Sequence, residues 1–259
     1  MNILFAFIFG AALGSFANLV ADRLRVKSVW TGRSECMSCG KKLSPGELFP
    51  IVSFLWLRGK CKNCGSRLSP MYLFSEILSG TLVALAYSVA ITLPFVFNIQ
   101  LIIFLVTSFV ICLSIVIIIY DIRHTIVPVE IVSILLVLGL ILTFIRTHLY
   151  GVSLYDIFSG IIIAAPFSIL YIISKGKWLG MGDILVYAAY GFILGLPFGI
   201  TMFLYSVWLG AFVAILLMIF HSDKYGMKSE LPFTPFIIIA SLLVWYTQTD
   251  ILNLYEILY

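Results

Sequence analysis

Charge is what this sequence most lacks: Asp, Glu, Lys and Arg make up 11% of 259 residues, while 62% are hydrophobic. Soluble domains carry roughly 25% charged residues. At a mean hydropathy of +1.12 a water-soluble globule is excluded, because a core of this size cannot hide so many apolar side chains. Sustained alternation of apolar and polar residues is also missing, which excludes a transmembrane β-barrel. No Lys or Arg precedes the first apolar run and a cluster follows it, so residues 1–21 read as an N-outside anchor and not as a cleaved signal peptide. The three histidines, His124, His148 and His221, are too dispersed to form a metal site. No glycine-rich nucleotide fingerprint is present.

What the chain has instead is apolar runs of about 20 residues, the length that crosses a ~30 Å hydrocarbon slab. Candidate spans fall at about 2–21, 71–93, 99–120, 127–147, 154–173, 183–195, 198–220 and 232–249. The expected fold is an all-α polytopic membrane helix bundle of about eight transmembrane helices, with the lipid bilayer as its solvent. The sixth run is short. Residues 183–220 read either as two spans or as one tilted span plus a re-entrant piece, since Leu196-Pro197 is the only break between them.

The basic residues then orient the bundle. Ten of the 16 Lys and Arg fall between Arg23 and Arg67. With the N-terminus outside, Arg123, Lys175, Lys177, Lys224 and Lys228 join them on the cytoplasmic side, and Arg146 alone lies outside. Topology accounts for this clustering, and no nucleic-acid partner is expected. The expected division is a first transmembrane helix (1–21), a cytoplasmic module (22–70) and a transmembrane bundle (71–259).

The module contains an internal repeat, Cys36-Met-Ser-Cys39-Gly-Lys-Lys-Leu-Ser-Pro45 against Cys61-Lys-Asn-Cys64-Gly-Ser-Arg-Leu-Ser-Pro70, identical at six of ten positions. Two Cys-x-x-Cys pairs separated by 21 residues approach the spacing of four-thiolate zinc sites. Gly40 and Gly65 allow the backbone to turn just after each second thiol. A structural zinc held by Cys36, Cys39, Cys61 and Cys64 is expected, with rubredoxin-like iron as the minor variant. Disulfides and free thiols are the other readings, and a reducing cytoplasm disfavours the disulfides. Cys112, inside an apolar run, reads as a small buried hydrophobe.

Ionisable groups at or within apolar spans are costly, and therefore functional candidates. Glu76, Asp121, Glu130 and Asp183 qualify. Asp121 ends the third run and Asp183 opens the sixth, after Gly180-Met181-Gly182, and on this topology both lie at the cytoplasmic edge. Two carboxylates meeting there would share a proton and split into an acid and a base, as aspartyl proteolysis requires. Spacing alone leaves other readings open: Asp183 suits a helix N-terminus, Asp121 can pair with Arg123, and two aspartates in a bundle can also form a cation site in a transporter or scaffold.

In order along the chain stand Gly14-Ser15-Phe16-Ala17-Asn18 with Arg23, the tetracysteine module, Tyr72 and Glu76, Asp121, Gly180-Met181-Gly182-Asp183, and Pro232-Phe233-Thr234-Pro235-Phe236. This ordered set resembles the type IV prepilin peptidases, membrane proteases of the Gly-x-Gly-Asp aspartyl class. The resemblance implies that Asp121 and Asp183 are catalytic. It also implies prepilin or pseudopilin precursors with a short basic leader as substrates, and a bacterial inner-membrane location with cleavage at the cytoplasmic face. Many members also methylate the new N-terminus, so S-adenosylmethionine is an implied cofactor. Asn18, Arg23, Glu76, Gly180 and Gly182 are the candidate substrate- or donor-binding residues. The chain departs from the family pattern at Leu73, Glu130, Leu185 and Thr234, the last standing between the late prolines where the family commonly has Gly. These departures suggest a divergent branch, such as a Gram-positive competence or pilus system.

Overall fold

A computed structural model describes residues 2–26, 32–150, 154–177, 179–220 and 232–252. Lys27, Trp178, His221, Lys224 and Lys228 lie outside the described residues. The helices are α1 (Ile3–Arg23), α2 (Val52–Trp56), α3 (Pro70–Thr92), α4 (Phe97–His124), α5 (Val129–Tyr150), α6 (Leu154–Ile157), α7 (Ser159–Ser174), α8 (Met181–Leu194), α9 (Leu196–Phe220) and α10 (Thr234–Thr247), with a 3₁₀ turn at Pro45–Leu48. The protein is all-α and membrane-embedded in character. Five of these helices, α1, α3, α4, α5 and α9, are long and apolar enough to cross a bilayer, and α7, α8 and α10 are shorter apolar helices at the remaining expected spans. The chain forms two compact units, Met1–Ile119 and Tyr120–Tyr259, divided within α4.

In the first unit α1 packs along α3 at backbone contact. The sequence Gly10-Ala-Ala-Leu-Gly14 is a small-residue stripe of the kind that lets membrane helices approach closely. A Cβ on Gly14 would stand 2.8 Å from the Ser75 carbonyl oxygen, and one on Gly10 would stand 2.6 Å from Val83 Cβ. Dispersion between closely packed surfaces replaces the hydrophobic drive that lipid cannot supply. Cys112, 4% exposed, places its thiol 3.7 Å from the Leu13 carbonyl, as expected of a small buried side chain.

The two halves of the Cys repeat each end in Leu-Ser-Pro, and each Ser-Pro starts a helix. Ser69 caps α3, its Oγ accepting from Met71 N at 3.3 Å, with Pro70 at N1. Ser44 likewise caps the 3₁₀ turn, in a capping box with Glu47. Proline suits the first helical position because its missing N–H would be unpaired there anyway.

In the second unit α8 packs against α5, α7, α9 and α10, which explains why Tyr187 and Tyr190 are almost fully buried. Fourteen residues make α8 roughly 21 Å long. Its C-terminus is capped by Arg146, whose guanidinium donates to the carbonyls of Ile193 and Phe192, each at 3.1 Å, and lies 3.9 Å from Asp156. The basic residue that topology set apart therefore satisfies helix-end carbonyls. Its carboxylate partner Asp156, 3% exposed, was not among the expected intramembrane carboxylates. The break between α8 and α9 falls at Gly195, with φ 85° and ψ 174°, a region essentially reserved for glycine. Pro197 is then accommodated in the first turn of α9.

Candidate active site

Asp121 lies in the last turn of α4, and its carbonyl accepts from Thr125 N at 2.7 Å as the chain leaves the helix. Asp183 is the third residue of α8, one turn beyond the N-cap Gly180. Its carboxylate takes a hydrogen bond from the Gly180 backbone N–H, which is one half of a capping box. Helix capping and site geometry thus use the same side chain. Both aspartates are nearly buried, 3% and 9% exposed respectively, and both belong to the second unit.

Thr234, fully buried at the start of α10, joins them. Its hydroxyl donates to Asp183 Oδ1 at 2.6 Å and stands beside the Asp121 carboxyl group. Asp121 Oδ2 is buried with no hydrogen-bond partner among the described residues. Two acids from separate helices therefore meet around one hydroxyl.

Each glycine of the Gly-x-Gly-Asp motif has its own surroundings. A Cβ on Gly180 would lie 3.5 Å from Asp183 Oδ2, on the carboxylate side. Gly182 faces Val127, whose side chain occupies the space a Cβ would need. Close packing of α8 against the segment after α4 accounts for that second glycine.

In the first unit the two Cys-x-x-Cys turns have matching backbone bonds. Cys36 N donates to Lys41 O and Gly40 N to Cys36 O, as Cys61 N does to Ser66 O and Gly65 N to Cys61 O. Gly40 and Gly65 have φ of 67° and 69°, the left-handed conformation that the repeat implied. The four sulfurs lie within 4.8 Å of one another, and all five cysteines are free thiols. A tetrahedral zinc with Zn–S of about 2.3 Å has S···S edges of about 3.8 Å, so the donor set fits a metal. Backbone N–H groups of Cys39 and Ser38, with the Ser66 hydroxyl, lower the Cys36 thiol from 9.0 to about 6. The Ser66 hydroxyl and then its backbone N–H lower Cys64 as well. Donors aimed at sulfur prepare it as a thiolate ligand.

Asn18, Arg23 and Glu76 also fall in the first unit. Asn18 Nδ2 donates to Ser75 Oγ at 2.7 Å and to Gly14 O at 3.1 Å, while its buried Oδ1 has no partner among the described residues. Arg23 donates to Arg33 O at 2.9 Å. Glu76 Oε2 accepts from Ile51 N at 2.7 Å, pinning a strained turn in which Ile51 has φ 64° and ψ −54° and Val52 N reaches Pro50 O. That is the rare positive-φ γ-turn, and a β-branched residue there needs such support. All three line a cavity of about 470 Å³ beside the Cys turns, with Asp22 and Tyr72, whose hydroxyl donates to Asp22 at 2.7 Å.

The molecule is thus a membrane helix bundle with a buried acid pair in one unit and a four-cysteine module in the other. Residues 8–90 match the bacterial peptidase A24 N-terminal domain and residues 108–215 the type IV leader peptidase family. A relative from Bacillus subtilis (strain 168), a prepilin leader peptidase/N-methyltransferase, is 32% identical over 254 residues, 96% of each chain. No solved structure matches the chain. The chain belongs to the type IV leader peptidase family.

Proposed function

We propose that Asp121 and Asp183 are the catalytic acids of this peptidase, and that it removes the short basic leader from prepilin-like precursors. The observation that carries the reading is the meeting of both carboxylates, nearly buried, beside one threonine hydroxyl that donates to Asp183. Like charges this close hold one proton between them. The ionised acid takes a proton from water as the water oxygen bonds to the scissile carbonyl carbon, and the protonated acid donates to the carbonyl oxygen. As the tetrahedral adduct collapses, the C–N bond breaks and the amine nitrogen takes up the proton drawn from water. The products are the leader carboxylate and a pilin with a free N-terminus.

An outside N-terminus and an acid pair at the cytoplasmic edge follow from the basic-residue bias, and a bacterial inner-membrane location from the family. The precursor's apolar helix would lie among the spans with its leader across the acids. By role the chain divides into the first helix (1–21), the tetracysteine module (22–70) and the bundle bearing the aspartates (71–259). Zinc on Cys36, Cys39, Cys61 and Cys64 would hold the module folded. S-adenosylmethionine, when bound, supplies a methyl group to the new amine. The first unit's cavity suits it: Asn18 Oδ1 is an orphaned acceptor in its wall, and Asp22 and Glu76 supply negative charge for a cationic ligand.

The test is cleavage of a pilin-like precursor by purified protein in detergent, followed by mass spectrometry. Asp121→Asn and Asp183→Asn should each lower the rate by about 100-fold or more. Intact cleavage in either variant would leave the acids as structural groups or a cation site. Adding S-adenosylmethionine should add one methyl to the processed product.

A further inference from the structure

We propose that Thr234 is the positioning residue of the acid pair, holding Asp183 as the hydrogen-bond acceptor and so as its ionised member. The proposal rests on the reading of these two residues as the catalytic acids, and its first observation is geometric. Thr234 is fully buried, donates to Asp183 Oδ1 at 2.6 Å and stands beside Asp121.

A hydroxyl has one hydrogen to give, and Thr234 gives it to Asp183. That bond favours Asp183 as the ionised acid, and repulsion between like charges in a buried site then leaves the proton on Asp121. One proton is kept on the pair, in the division of labour that water attack requires.

The hydroxyl is held in place by its surroundings. Threonine is stiff at χ1, and Thr234 sits between Pro232 and Pro235, which fix φ on either side. The neighbouring Phe233 ring packs with Phe167, Tyr187 and Phe236 at centroid distances of 6.4, 6.5 and 6.1 Å, so the start of α10 is set by an aromatic cluster. With Asp183 tied by Thr234 and by Gly180 N–H, Asp121 Oδ2 remains the buried acid oxygen without a partner among the described residues, available to water or to the scissile carbonyl. A glycine at this position, the common residue in chains this one resembles, would leave Asp183 without this donor.

Substitutions separate the hydroxyl from the methyl. Thr234→Val preserves shape and removes the hydroxyl; Thr234→Ser keeps the hydroxyl and opens a methyl-sized gap. With precursor as substrate, Val should lower kcat by about tenfold or more at nearly unchanged KM, while Ser stays within about threefold of wild type. A role in packing alone reverses the order, with Val active and Ser impaired, and overturns the proposal. If Val fails to fold by its thermal transition, Thr234→Ala replaces it: loss of kcat in Ala with retention in Ser supports the positioning role, and equal rates in Ala and Ser refute it. Asp121→Asn and Asp183→Asn are measured alongside. If they cleave normally the catalytic reading itself falls; if they are inactive while Thr234→Val cleaves like wild type, only the positioning role falls.

Discussion

Replacing Arg146 by Met removes the cap on the C-terminus of α8 while keeping a long apolar stem. Arg146 makes two charge-assisted hydrogen bonds at 3.1 Å, of a kind that contributes about 1.5–3 kcal/mol each. The two losses are unequal. Phe192 O keeps the Thr143 hydroxyl at 2.8 Å, so Ile193 O bears most of the deficit. The ion pair with Asp156 spans 3.9 Å with the Arg side chain 26% exposed, and such pairs contribute ~0–1 kcal/mol. The expected cost is about 2–3 kcal/mol, or a fall of roughly 5–10 °C in the apparent melting temperature in detergent at one fixed scan rate. Faster amide hydrogen exchange should accompany it at residues 193–196. Asp156→Asn should cost under ~1 kcal/mol, because an amide oxygen still accepts from Leu196 N, now held at 2.9 Å. A Met variant that melts like wild type, or an Asn variant that melts below the Met variant, would refute the assignment of Arg146 as the helix cap.

Metal analysis of the purified protein should find about one zinc per chain, lost in Cys36→Ser or Cys61→Ser; a metal-free preparation with a protease-resistant module would count against the site. Protons compete with metal for thiolate, and Cys36 gives up its proton at about 6 instead of 9.0. Cys39 is raised above 9.0, so zinc content should fall as the pH is lowered, most steeply once Cys36 also binds its proton below about 6, which atomic absorption after dialysis would show. Glu76→Gln keeps an acceptor for Ile51 N, whereas Glu76→Leu removes it and should cost about 1–3 kcal/mol locally, read as faster proteolysis between residues 49 and 53 in the Leu variant alone. Gly14→Leu should force α1 from α3 at a cost of ~1–3 kcal/mol or more; a wild-type melting temperature would contradict backbone contact there.

Features governed by near neighbours were legible in the sequence. The apolar run expected at 71–93 is the helix Pro70–Thr92, and that at 99–120 lies within Phe97–His124, since span ends are set locally by charge and proline. The Cys turns were legible for the same reason: each is closed by bonds within its own repeat. Contacts between distant segments were not. Thr234 stood out as a departure from a pattern, but its meeting with Asp183 depends on how α8 packs against α10. Asp156 falls inside the run expected at 154–173 and went unread there, because only folding brings it to Arg146 and the start of α9. The stripe of Gly10 and Gly14 went unread, since a stripe names no partner; Ser75, Ser79 and Val83 of α3 became visible only with the helices packed. Glu76 marked itself by its cost in a span, while the γ-turn it supports lies 25 residues away.

The second Cys turn runs through Gly65-Ser66-Arg67-Leu68 straight into Ser69, the cap of α3. A membrane helix ordinarily relieves a mismatch with its bilayer by tilting or by sliding along the normal. With a four-thiolate cluster set just before its first turn, α3 has a depth stop at that end, and through their backbone contact α1 inherits it. Bilayer thickness would then be absorbed at the Thr92 end. With the proposed zinc bound there, stripping it would do more than loosen a surface module: it would let two membrane helices find a new depth together.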